Sequence, residues 1–186
     1  FKAKKAEKSE KIWIYGHHAV RAVLNNPARK VSRFLVAEEN LYILEELITL
    51  GEAKKNIFPE IKNLNSIGNI LPRWSVHQGV AVFVQRLKSP KIEDVCSNNV
   101  PDPNIVIVLD QVTDPHNLGA IIRSAAAFGA RAVIIQDRHS PLESGLLAKV
   151  SSGGIENLPL IRTVNLSRAL RKLAELGYWR IALQPD

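Results

Sequence analysis

The feature that most restricts how this chain can fold is a strand–loop–helix unit from Ile105 to Ala130, IVIVLDQVTDPHNLGAIIRSAAAFGA. Ile105–Leu109 is an unbroken apolar run rich in β-branched residues, the pattern of a strand buried on both faces of a parallel sheet. Asp110–His116 is polar and contains the turn-forming pair Asp114-Pro115. Asn117 can cap the helix that follows, and Gly129 can end it. At about 100° per residue, Leu118, Ile121, Ile122, Ala125 and Phe128 share one helix face, which predicts packing on the sheet. Arg123 falls off that face, beside Gly119, Ala126 and Ala127. An arginine among such small neighbours reaches a ligand or another backbone without obstruction. It stands about one and a half turns into a helix whose N-terminus, at the carboxyl end of a strand, favours anions. The unit reads as a site for a phosphorylated or nucleic-acid ligand.

The residues that follow keep the alternation. Ala132–Gln136, Leu158–Ile161 and Trp179–Leu183 read as further strands. Ser140-Pro141-Leu142-Glu143 has the form of a capping box with proline at the first helical position, which predicts a helix from there to about Ser151. Leu166–Leu176 reads as a helix with Leu166, Ala169, Leu170 and Leu173 inward, ended by Gly177. Strands alternating with helices across short loops imply a parallel sheet with right-handed crossovers. Lys149–Glu156, KVSSGGIE, is a second polar cluster. An RNA or subunit surface and a plain helix end with a glycine turn fit it equally.

The first half of the chain has its own pattern. Residues 1–11 form a lysine-rich tail without apolar period, read as solvated, with phosphate contact as a secondary role. Strands are expected at Ile12–Tyr15, Val31–Val36, Ile57-Phe58 and Gly79–Val84. Helices are expected at His17–Asn25, with Val20, Val23 and Leu24 inward, at Leu41–Leu50 ended by Gly51, and at Ile61–Ile70. This predicts a small α/β domain over residues 12–86. Residues 87–104, with Pro90, Pro101 and Pro103, read as a linker to a second domain over 105–186. Arg21, Arg29, Lys30 and Arg33 form a loose basic group in the first domain, offering either surface solvation or contact with RNA phosphate. His17 and His18 are adjacent, and no spaced Cys/His set accompanies them, so no metal site is expected. His77 reads as a turn residue.

Composition narrows the function classes. Formal charge is +7 and the pI about 9.7, which leans toward a polyanionic partner. The single cysteine, Cys96, excludes an intrachain disulfide and points to a reducing, cytoplasmic setting, where it reads as an inert surface thiol. No apolar run is long enough to span a bilayer. No aromatic-interleaved pattern of the RNA-recognition-motif type appears. A nucleotide-binding Rossmann reading is weak, because no G-x-G-x-x-G follows Ile105–Leu109.

The stretch LDQVTDPHNLGAIIRSAAAFGA resembles the first signature motif of the SpoU (TrmH-like) RNA 2′-O-ribose methyltransferases, without a gap from loop to closing glycine. It is most similar to the RlmB-like branch, which modifies a guanosine of large-subunit ribosomal RNA. IYGHHAVRAVL and HQGVAVFV extend the resemblance into the first half. The resemblance implies an L30e-like RNA-binding domain followed by a knotted, parallel-sheet SPOUT domain, S-adenosylmethionine as methyl donor, ribosomal RNA as substrate, and a homodimer. It assigns catalytic roles to Asn117 and Arg123, and makes Arg21, Arg29, Lys30, Arg33 and Lys149 candidates for RNA contact. Asp114 and His116 are expected to form the turn rather than to act as acid or base. The family's second and third motifs, a Gly-Glu-Gly-rich loop and a Ser-Leu-Asn segment, do not occur in this sequence. The expectation is therefore a fragment that holds the first half of the catalytic domain, does not complete the donor site, and is inactive alone. The alternative is a non-catalytic RNA-binding protein with a decayed methyltransferase half.

Overall fold

A computed structural model describes residues 10–53, 57–97 and 104–183. The basic tail lies outside them except for Glu10 and Lys11, and so does part of the expected linker. By its internal contacts the chain divides into two units, Phe1–Leu87 with Glu143–Lys149, and Lys88–Leu142 with Val150–Asp186.

The first unit is built on strands β1 (Lys11–Tyr15), β2 (Val31–Ala37), β3 (Glu60–Lys62) and β4 (Val80–Gln85), in the order β1-β4-β2-β3. Strand β4 runs antiparallel to both neighbours, and β3 is parallel to β2. Period-2 alternation sets the core. Tyr15, Leu35, Ala37 and Ala81 form one cluster with Ile67 and Leu71, while Ile14, Phe34, Val36, Val82 and Val84 are buried on the alternate positions. Helix α1 (His17–Asn25) buries Ala19, Val20, Val23 and Leu24, the stripe its spacing predicts. A 3-10 segment, Glu38–Ile43, leads into α2 (Leu44–Ala53). Helix α2 runs through Gly51, which was expected to end it; one interior glycine costs a helix only about 1 kcal/mol. The helix expected from Ile61 begins instead at Leu64 as α3 (Leu64–Ile70), because Asn63 accepts a bond from Ser66 N at 2.8 Å and caps it. Ile61 belongs to β3, where pairing with β2 outweighs local pattern, and Ile57-Phe58 forms no strand.

Residues Glu143–Lys149 complete this unit, and here the capping-box reading fails. Helix α6 starts at Gly145 and ends at Val150, and the residue that caps it is Ser144, whose Oγ accepts from Leu147 N at 3.2 Å. Glu143 is turned to Arg29. The Arg29 guanidinium, 1% exposed, donates to Glu143 Oε1 and, at 2.8 Å, to the Gln85 carbonyl. Leu87 N donates to the other Glu143 oxygen at 3.1 Å, and Arg86 donates to the Glu143 carbonyl. Two buried charges that satisfy each other are tolerated, whereas loss of one costs about 3–5 kcal/mol.

The second unit is a parallel sheet of β5 (Val106–Leu109), β6 (Ala132–Gln136) and β7 (Leu160–Thr163), in that order. Strand β6 is the central one. Strand β5 is an edge strand and only half-buried throughout, not sealed on both faces as its composition predicts. The expected fourth strand does not form. Trp179, Ile181 and Leu183 are 96%, 89% and 95% exposed, and no strand among the described residues pairs with them. The linker is partly structured: α4 (Ile92–Val95) precedes Cys96, which is fully buried with Ala132, Ile134, Ile161, Ala169 and Leu173. Cys96 is thus a core residue rather than a surface thiol, and burial pushes it above the usual thiol range. Ser89 Oγ accepts from Arg162 N at 2.8 Å along the β7 edge. Helix α8 (Leu166–Glu175), capped by Asn165, buries Ala169 and Leu173.

Candidate active site

The loop after β5 carries the site. Gln111 adopts a left-handed φ of 55°, which turns the chain sharply away from the strand. Helix α5 then runs Pro115–Ala127, with Asp114 as its cap: Asp114 Oδ1 accepts from His116 N at 2.8 Å, and Pro115 takes the first turn, where no N–H is needed. Asn117 was expected to be the cap. With Asp114 in that role, the Asn117 amide is released from it and stands exposed in the first turn. It lines a concavity of about 460 Å³ with Gln111, Val112, Thr113, Asp114, Ala120 and Ile121. The far end of α5 closes at Phe128, and Gly129 has the left-handed φ of 69° that stops the helix as expected.

The buried face of α5 is Leu118, Gly119, Ile122 and Ala125. Ile121 is half-buried, and Phe128 is 81% exposed instead of packed on the sheet, because it lies past the last helical residue. A second hollow, of about 360 Å³ and largely aliphatic, lies along Ile105, Ile107, Ile121, Ala125 and Phe128. Gly119 is required by close approach: a Cβ there would stand 2.8 Å from Val150 Cβ and 3.2 Å from Ser151 N. A Cβ on Gly154, the first residue of α7 (Gly154–Asn157), would stand in ordinary contact with Ile122 and Ala126, at 3.4 Å. The glycine-rich part of the second polar cluster is thereby pressed against α5, an adjacency that no local pattern in the sequence signals.

Arg123 lies on the helix between Gly119 and Ala126, at the border of this turn. It is exposed, and it has no hydrogen bond or ion pair among the described residues. It does not line the concavity that holds Asn117. Six positions separate the two residues, which sets them roughly 120° apart around the helix. The loop and Asn117 share one hollow, while Gly119 and Ala126, one turn to either side of Arg123, meet the Val150–Gly154 segment.

The candidate RNA-contact residues fare differently. Arg29 is excluded by burial against Glu143. Arg21 is exposed and pairs with Glu46 at 2.9 Å. Arg33 forks onto Glu60 at 2.8 and 2.7 Å, and its guanidinium covers the Trp13 ring at 5.5 Å. That pairing holds the Glu60 carboxyl below its usual range. Lys149 donates to the Val76 carbonyl, and burial lowers its ammonium below the usual value. Lys30 is exposed. His17 Nε2 lies 2.9 Å from the Gln78 carbonyl, and His77 Nδ1 accepts from Gly79 N at 3.2 Å, so both are turn-holding residues. Among the described residues no group of three or more His, Cys, Asp or Glu gathers to hold a metal, and no helix is long and apolar enough to cross a membrane.

Residues 104–186 match the SpoU rRNA methylase family. Over 172 residues the chain is 36% identical to the 23S rRNA (guanosine-2′-O-)-methyltransferase RlmB of Neisseria meningitidis, covering 90% of this chain and 67% of that protein. It is 37% identical to the RlmB of Yersinia pestis, covering 89% of this chain and 68% of the relative. The chain belongs to the SpoU methylase family. It spans only 44% of another relative, an uncharacterized tRNA/rRNA methyltransferase of Synechocystis, at 34% identity and 89% of this chain. The solved AdoMet-bound rRNA methyltransferase of Sinorhizobium meliloti superposes with a TM-score of 0.67 at 23% identity, covering 88% of this chain and 59% of that one. A TrmH-family structure from Porphyromonas gingivalis gives 0.67 at 15% identity, over 90% of this chain and 60% of its own length. At those identities the structures establish the SPOUT-type fold alone. Within the SpoU family fold, the β5–loop–α5 unit is the start of the family match.

Proposed function

We propose that this chain is part of an S-adenosylmethionine-dependent RNA ribose 2′-O-methyltransferase whose substrate is a guanosine of 23S ribosomal RNA. The observation that carries the reading is the 36–37% identity to RlmB enzymes across both units of the chain. The net charge of +7 supports an RNA partner. The aliphatic hollow beside α5 does not suit the methyl donor by itself. The hollow along Ile105, Ile107 and Phe128 is aliphatic, with the Ser124 hydroxyl as its one polar side chain, and carries no charged group to hold an amino-acid carboxylate. When bound, the donor supplies an electrophilic methyl group.

Ribose methylation asks this chain to hold the RNA and stabilise charge on the 2′-oxygen. Arg123 is free to do so. Its guanidinium stays protonated at any working pH, so phosphate binding and oxyanion stabilisation suit it better than proton abstraction. Asn117, released from capping, orients the loop and the ribose from the adjacent hollow. Lys30 and the exchangeable pairs at Arg21 and Arg33 supply phosphate contacts, since exposed ion pairs are worth at most about 1 kcal/mol and yield to RNA. The first unit serves as an L30e-like RNA-binding domain. A homodimer in the cytoplasm completes the reading.

The test is Arg123→Lys and Arg123→Ala in the full-length protein. Loss of a charge-stabilising donor lowers the transfer rate about 10²–10³-fold in the alanine variant. The lysine variant recovers part of it, with no new ionisation in the pH–rate profile. A profile that follows a single ionisation at the lysine's pKa would instead make residue 123 the base.

A further inference from the structure

We propose that the Arg73-Trp74 turn of the first unit is a stacking platform for one unpaired nucleobase of the RNA, with Arg73 on the adjoining phosphate. This rests on the reading of RNA as substrate and narrows it to an RNA that presents an unstacked base to this unit. Trp74 is 95% exposed. Tryptophan is large and apolar, and a folded chain normally hides most of it. Trp74 also adopts φ 67°, a conformation unfavourable for a bulky L residue. Two unfavourable features at one residue ask for a compensating role.

The turn is rigid, as a platform needs to be. Ser75 N and Ser75 Oγ both donate to the Pro72 carbonyl, at 3.2 and 2.6 Å. Leu71, just before it, is buried in the core with Ile67. After it, Val80 N donates to the His77 carbonyl at 3.1 Å. Charge favours an anionic partner such as RNA over an apolar or basic one. From Ile61 to Ile92 the sequence has no acidic residue, while Lys62, Arg73 and Arg86 lie within that stretch. Lys149 adds its ammonium at the Val76 carbonyl, and its charge, after burial, helps to depress the His77 imidazole.

The other two tryptophans suit the role less well. Trp13 and Phe83 stack on each other at 4.9 Å, and Arg33 and Lys11 already lie over their rings at 5.5 and 5.9 Å. Trp179 follows the end of α8 in a segment without regular structure. Aromatic–base stacking tolerates any base, so the probe needs an unpaired loop but no particular sequence.

The experiment measures binding of a labelled RNA hairpin with an unpaired loop, and of a blunt duplex with the same stem. The full chain is compared with Trp74→Ala, Trp74→Phe and Trp74→Gly. Trp74→Ala is expected to weaken hairpin binding about 5- to 150-fold and to leave duplex binding unchanged, with Trp74→Phe restoring most of the loss. Trp74→Gly is expected to weaken hairpin binding while its melting temperature holds or rises, since glycine accepts positive φ. Equal hairpin affinity in wild type and Trp74→Ala would overturn the platform and leave the RNA reading standing, as would a loss shared equally by the duplex. A wild-type chain that binds neither RNA would overturn both.

Discussion

Arg29 and Arg123 are the same residue type with opposite settings. Arg29 looks like a surface cation in the sequence, within a basic group beside a helix end, yet it is 1% exposed and locked to Glu143. Its partner is 114 residues away, so no local pattern could have revealed it. Arg123 was legible because everything that frees it is local: small neighbours, a helix and the buried face opposite. At the same scale, His77 makes stability depend on pH. Burial first, and the Lys149 charge second, hold its imidazole below the ordinary value of about 6.5. Its Nδ1 needs a lone pair to accept from Gly79 N. The unfolded chain therefore takes up a proton before the folded one does. Stability is full above about pH 6.5 and falls as pH drops from there through the lowered folded value. Denaturant titrations at pH 7.5 and 5.5 are expected to show a smaller loss in His77→Gln than in wild type; equal losses would remove His77 as the cause.

At the scale of elements, those whose periodicity matched their packing were readable: α1, β1, β2, β4, β6 and α8, with α5 readable at Leu118, Ile122 and Ala125 but not at Phe128. The misread ones were decided by partners distant in sequence. Ser140–Glu143 has the letters of a capping box, but Glu143 is held by Arg29 and Leu87, so the helix starts later, with Ser144 as cap. Trp179–Leu183 has the letters of a strand but no strand beside it among the described residues. Asp114 rather than Asn117 caps α5, a distinction of three residues that depends on where the loop turns at Gln111. The packing of α5 against the Val150–Gly154 turn gives an element-scale prediction. Gly119→Ala improves helix propensity, yet its new Cβ meets Val150 at 2.8 Å. The clash is expected to dominate and destabilise the chain by about 1–3 kcal/mol in urea titration. Ala127→Gly, exposed on the same helix, is expected to cost only about 1 kcal/mol through propensity. If Gly119→Ala proved stabilising, the close packing of these two segments would be wrong.

For the whole molecule, the sequence made the family legible, because a long ungapped motif survives without three-dimensional detail. It did not reveal that Glu143–Lys149 packs with the first unit, or that Cys96 is core, since both depend on contacts across long stretches of chain. Methylation of a ribose 2′-oxygen removes the nucleophile that attacks the adjoining phosphodiester in alkali, so the modified linkage survives hydrolysis. Unmodified 23S rRNA, incubated with the protein and labelled S-adenosylmethionine, then digested in alkali, is the direct measurement. Label is expected in one alkali-resistant dinucleotide that begins with guanosine, and is expected to be lost in Arg123→Ala. Label recovered in mononucleotides, as base methylation would give, or no transfer by the full-length protein, would contradict that expectation.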